Sequence, residues 1–208
     1  MTDSGADGKD FLIDWVHLPE RAAETSLWVS LHDALLERVH LNRHSRILDL
    51  GFDVPHLREF HGFPDATRFL LRFEGVRALR VEKSVGWPGD FSVPDGTPYA
   101  EAEKLIAGNR AKSIRETVSW PEFVNRIEQE QGSTEILNPS LATGSSGVAL
   151  RMFMHVNDDF YPEVFVSSER MSISLSSGED VTLMEFLLLG KHYWDTLSAE
   201  APSEPANG

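Results

Sequence analysis

The chain contains no cysteine. Disulfides, thiolate metal sites and cysteine nucleophiles are excluded together, and a reducing compartment becomes the natural setting. Long apolar runs are missing too. The richest stretch, residues 183–189, is interrupted by Glu185 and falls far short of the roughly 20 residues that span a bilayer. Residues 1–9 are polar and acidic, without the basic flank and apolar centre of a signal peptide. A cytoplasmic location with no membrane partner is the resulting expectation. No Walker-type or Gly-x-Gly-x-x-Gly run is present to cradle phosphate on a helix N-terminus, so no cofactor is expected.

Basic residues are scarce, with 19 Lys and Arg against 33 Asp and Glu for a formal net charge of −14. The imbalance is uneven. Residues 34–83 hold nine basic and seven acidic side chains, whereas residues 116–208 hold four basic and fifteen acidic ones. No nucleic-acid partner is expected, because phosphate binding needs a contiguous basic surface. A basic protein suits the acidic second half, which also serves solubility.

Hydrophobic content of 41% and charged content of 25% are those of a globular protein. Residues 1–10 and 199–208 offer little or nothing apolar to bury and are read as tails. Between them lies a single α+β domain over 11–198, divisible into halves 11–98 and 115–198. A strand is signalled at 46–54, where Leu48, Leu50, Phe52 and Val54 alternate with Asp49, Gly51 and Asp53. With residues 35–41 before it and Asn42-Arg43-His44-Ser45 as the turn, it forms a β-hairpin. Residues 55–65 read as a loop. Strand character returns at Phe69, Leu71 and Phe73, and again at Val76, Leu79 and Val81, with Gly75 marking a bulge or tight turn between. Residues 85–98 read as loop, and 99–114 as a helix weakened by Gly108.

Ser119-Trp120-Pro121-Glu122 has the capping-box form and announces a helix ending at Gly132. After a loop over 143–147, the alternation of Val148, Leu150, Met152, Met154 and Val156 marks a strand, with further strands at 163–166 and 171–175. A second capping box, Thr182 with Glu185, opens a final helix whose Leu183, Phe186, Leu187, Tyr193, Trp194 and Leu197 share an apolar face. Strands closed by a terminal helix argue for mainly antiparallel α+β, with two or three helices and the last packed on a sheet. Comparing residues 27–90 with 148–198 gives no aligned period.

The motifs carry little chemistry. Gly144-Ser145-Ser146-Gly147 is one residue short of a nucleophile elbow and reads as a linker. Metal candidates are His32, His155 and Asp158, yet none has the paired helical spacing of His-Glu-x-x-His. The simpler roles are a strand-surface histidine and turn-forming aspartates. Trp87, in a Trp-Pro-Gly loop, is a candidate interface anchor. Asp158, Asp159, Glu163 and Glu169 cluster around one inferred turn and strand, which makes them the candidate acidic contacts for a basic partner.

Leu31-His32-Asp33-Ala34-Leu35, the strand containing Leu48-Asp49-Leu50, Leu71-Arg72-Phe73-Glu74-Gly75-Val76 and Trp87-Pro88-Gly89 together resemble a pattern found in small bacterial domains. Those domains open with Leu-His-Asp, and some are labelled immunity proteins of toxin systems. The resemblance spans residues 27–90 and implies no catalytic residues. It leads to the expectation of a non-enzymatic protein-binding domain, an immunity-type inhibitor of a basic toxin. The competing expectations are a metal-assisted hydrolase using His155, Asp158 and His32, and a structural or assembly subunit.

Overall fold

The computed structural model describes residues 23–85, 97–98, 101, 104–105, 114–130, 132–144, 147–157 and 160–200. The tail expected at 1–10, residues 201–208 of the tail expected at 199–208, the loop holding Trp87 and most of the helix expected over 99–114 lie outside the described residues; residues 199 and 200 are instead the end of the last helix. In chain order the elements are β1 (Ala23–Ser26), α1 (Trp28–Leu31), β2 (Leu35–Asn42), β3 (Ile47–Asp53), α2 (Pro55–Phe60), β4 (Phe69–Glu74), β5 (Ala78–Val85) and β6 (Ile114–Val118). They continue with α3 (Trp120–Gln129), β7 (Glu135–Gly144), β8 (Gly147–His155), β9 (Pro162–Ser168), β10 (Arg170–Leu175), β11 (Asp180–Val181) and α4 (Leu183–Glu200).

The class is the α+β expected, with antiparallel pairing throughout and the C-terminal helix packed on the sheet. The alternation in β3 and β8 is the reason. Leu48, Leu50 and Phe52, like Leu150, Met152 and Met154, are fully buried in one core. The intervening residues face the other side, where Arg72 grips Asp49 at 2.7 Å and Arg151 reaches Glu163 at 2.6 Å. Phe186 of α4 enters the same core and meets Phe69 of β4 at 5.1 Å between ring centroids.

Three elements depart from the sequence reading. Residues 55–60 form a helix inside the expected loop. Pro55 sits in its first turn, where the missing N–H costs nothing, and Arg58 pairs with the buried Asp53. Strand β7, which carries Pro139, has no clean alternation in its sequence, yet it pairs along its length with β8 and takes β1 and β2 on its other edge. Finally, Gly75, read as a bulge or tight turn between two strands, is where β4 and β5 part. At Gly75 (φ 62°) the chain leaves one side of the sheet and crosses to the other, where β5 pairs with β9.

The strand order is β11-β10-β4-β3-β2-β7-β8-β9-β5-β6, with β1 attached to β7. Taken from its two ends this order is the same: β2-β3-β4 completed by β10 and β11 on one side, β7-β8-β9 completed by β5 and β6 on the other. Each arm therefore borrows its outer pair of strands from the other stretch of chain. The bulges match as well, falling between Leu36 and Arg38 in β2 and between Ile136 and Asn138 in β7.

Helices α3 and α4 are the closing members of the two arms. Val118 of β6 pairs with Val81 just before α3, and Val181 of β11 pairs with Ile173 just before α4. Both helices then open with a hydroxyl cap: Glu122 N donates to Ser119 Oγ at 3.3 Å, and Glu185 N donates to Thr182 Oγ1 at 3.2 Å. One residue later comes a fully buried phenylalanine in each, Phe123 and Phe186. The relation is invisible as a sequence period because the loops between equivalent strands differ in length.

The equivalence makes a quantitative expectation. Ser119→Ala and Thr182→Ala should each cost about 1 kcal/mol, the usual loss of a cap. Phe123→Ala and Phe186→Ala should each cost about 3–5 kcal/mol. Urea denaturation of the four variants checks this, and losses from Phe123→Ala and Phe186→Ala that differ by more than about 2 kcal/mol, the width of that range, would show that the two helices are not docked alike.

Candidate functional site

The helices α1, α2 and α4 form one layer, and the sequence builds it around a close approach. Midway along α4, Gly190 lies so near α1 that a Cβ there would stand 2.2 Å from the Val29 carbonyl oxygen. Only glycine permits that contact. On either side of it the helices are tied by hydrogen bonds: Ser30 Oγ donates to Phe186 O at 2.8 Å, and Trp194 Nε1 donates to Val29 O at 2.9 Å. The single turn of α1 then ends at His32, and Asp33, with φ 60°, turns the chain into β2. That conformational job is where the structure places the Leu-His-Asp motif. Helix α2 is joined to α4 through His61, whose Nε2 lies 3.0 Å from Leu189 O.

Around these ties lies a cluster of aromatic rings. Trp28 stacks on His32 at 4.4 Å and on Trp194 at 4.9 Å. His56 packs against Tyr193 at 4.8 Å and Trp194 at 6.0 Å. Phe60 presents its edge to His61, His192 and Tyr193 at 5.0, 5.1 and 5.6 Å. Four of the seven histidines among the described residues thus share one layer. Burial lowers the His56 pKa from the ordinary 6.5 to about 4; nearby Asp33 pulls it up and His32 pushes it down. The ring is a neutral packing element at neutral pH. Its enclosed Nε2, like His32 Nδ1, has no hydrogen-bond partner.

The layer also leaves apolar surface outside. Of the six large apolar side chains exposed among the described residues, five belong to it: Trp28, Phe60, Met184, Leu188 and Leu197. Met184 and Leu188 are the most open, at 66% and 54%. Sequence periodicity did not single them out, because they lie off the buried face of α4; the signal available was two long apolar side chains at i and i+4 on the polar side of an amphipathic helix.

The residues expected to form sites are scattered. Trp87, Asp158 and Asp159 lie outside the described residues. Glu163 is only 5% exposed, and its carboxylate is held by Arg151 at 2.6 Å and Arg115 at 3.0 Å. A buried, doubly paired carboxylate is a structural ion pair and not a rim contact. Glu169 is half exposed, lies against Gly75 and pairs with Arg77 at 3.6 Å. His155, at the end of β8, stacks on Tyr161 at 4.8 Å with Glu135 at 3.9 Å, while His32 belongs to the helical layer. Among the described residues no three His, Asp or Glu side chains converge on a point that could hold a metal ion, and no helix is long and apolar enough to cross a membrane.

No family model, curated protein or solved structure matches the chain. Its own chemistry is that of imidazoles packed among aromatic rings, with His56 held neutral, and of apolar side chains turned outward.

Two outcomes follow from this geometry. Gly190→Ala should weaken folding despite the roughly 1 kcal/mol that alanine ordinarily gains over glycine inside a helix, because α4 must lift off α1; a rise in melting temperature would show that the helices can separate at no cost. For His56 the sign is set by a folded pKa of about 4 below an unfolded 6.5. Between those values the unfolded chain takes up a proton that the folded chain refuses, so stability falls as pH drops through that window. His56→Phe should flatten that part of the fall in urea titrations at pH 7, 5.5 and 4.5, and an unaltered pH dependence would mean that His56 is already protonated in the fold.

Proposed function

We propose that the chain is a non-enzymatic protein-binding domain that recruits a basic partner. The observation that carries this reading is the gathering of five exposed large apolar side chains on one helical layer of a chain with net charge −14. Scattered apolar residues on a surface are ordinary, whereas a concentration on one layer marks a contact surface. The acidic surroundings set the sign of the partner and its rate of approach. An immunity-type inhibitor of a basic toxin is the finer form of the same reading, supported by the Leu-His-Asp resemblance and by the acidic second half.

The test is affinity capture from the native host, followed by binding kinetics with the purified partner. The partner should be basic. Association should slow steeply between low salt and 0.15 M, where charges farther apart than about 8 Å are screened. Reversing the exposed Glu59, Glu179 and Asp195 together should lower the association rate far more than it raises dissociation. A captured partner whose binding ignores salt and these three charges would leave the acidic surface as a solubility feature and remove the electrostatic half of the proposal.

A further inference from the structure

The two equivalent helices supply an internal control for what this fold requires of a closing helix. Alignment on the caps sets Pro121, Asn125 and Gln129 of α3 against Met184, Leu188 and His192 of α4, and all six side chains are exposed. In α3 this outer row is short or polar. In α4 the same row holds two long apolar side chains and an imidazole, and it is continued by Phe60 of α2, whose ring edge meets His192 at 5.1 Å. Folding does not demand apolar residues at these places, since α3 packs into the core without them.

We propose that this row, Met184-Leu188-His192 with Phe60 at its end, is the seat of a basic amphipathic helix of the partner, a proposal that rests on the protein-binding reading above. The geometry favours a helix as the occupant. Residues spaced by four form a ridge on α4, and such ridges pack into the grooves of a second helix; from 184 to 192 the ridge runs about 12 Å at 1.5 Å per residue, two turns of a partner. The charge favours a basic one. Exposed Glu59, Glu185 and Asp195 flank the row; Asp195 is paired with Lys191 and Glu59 lies 3.9 Å from Arg58, whose guanidinium also pairs with the buried Asp53, so the acids outnumber the cations that face outward. A second copy of the chain would bring the same acidic flanks against themselves, which works against self-pairing.

The experiment uses the isotope-labelled full chain and two synthetic peptides of equal positive charge, one a Leu/Lys amphipathic helix and one with each Leu replaced by Ser. The Leu/Lys peptide should shift the amide signals of Met184, Leu188, His192 and Phe60. It should bind at least about ten-fold more tightly than the Ser/Lys peptide, since the apolar anchors and not charge alone hold it. Met184→Gln with Leu188→Asn gives α4 the polar outer row of α3; this variant should keep its melting temperature and lose about ten-fold in affinity. Shifts mapping to another surface, equal binding of the two peptides, no binding of either, or an affinity untouched by the double substitution would each overturn the proposal. If the host's basic partner still binds the double variant normally, the ridge is wrong while the protein-binding reading stands. Dimerisation of the unmodified chain in sedimentation equilibrium, abolished in the double variant, would assign the ridge to a second copy and also overturn it.

Discussion

Two hydrogen bonds at the centre of the sheet organise everything else in the molecule. Leu36 N donates to Thr134 O, and Ile136 N donates to Ala34 O, each at 2.9 Å. The bonds are reciprocal, and they are nearly all that joins β2 to β7, whose ladder consists of the single pair Leu35 and Glu135. A bulge follows in each strand directly after the junction. Bulges bend and twist a strand, so the two arms diverge from this point while their inner faces stay on a common core. So slight a joint persists because the chain crosses it twice more: β5 and β10 each leave the arm in which they start and complete the other.

Those crossings meet. Glu169 N, between β9 and β10, donates to Glu74 O at 3.0 Å, and the Glu169 side chain covers Gly75, where an added Cβ would lie 2.6 Å from its Cδ. Neither arm can form its full set of strands until both stretches of chain are present. The exchange couples the arms into one cooperative unit, with long-range pairings that make closure entropy a large part of the cost of folding.

The helical layer shows what a repeated architecture permits. One closing helix, α3, has a polar exterior; the other, α4, is longer, is drawn onto α1 by Gly190 and keeps apolar side chains outward. The histidine and aromatic cluster between α1, α2 and α4 holds that exterior at a defined orientation. A helix backbone held in place from below presents its outer side chains at a lower ordering cost on binding than a mobile segment would. The buried carboxylates serve a different purpose. Asp53 and Glu163 are each paired with arginines, so that neither is left as an uncompensated buried charge, and the exposed acids define the surface field.

Local chemistry in the sequence was enough to determine the hairpin of β2 and β3, the strand β8, both capped helices and the α+β class, because alternation and capping boxes are properties of consecutive residues. It was not enough for β7, whose Pro139 and bulge break the alternation; that strand is held by neighbours on both edges. It was also silent on the path after Gly75, since a tight positive-φ residue serves a hairpin and a crossover equally. Glu163 looked like a surface acid because the arginines that bury it come from β6 and β8. Met184 and Leu188 looked incidental because their significance lies in comparison with Pro121 and Asn125, which the folded chain alone sets in equivalent places. Sequence determines what each segment can be. The long-range pairings, formed between residues far apart in the chain, decided which segments meet and therefore which side chains remain outside.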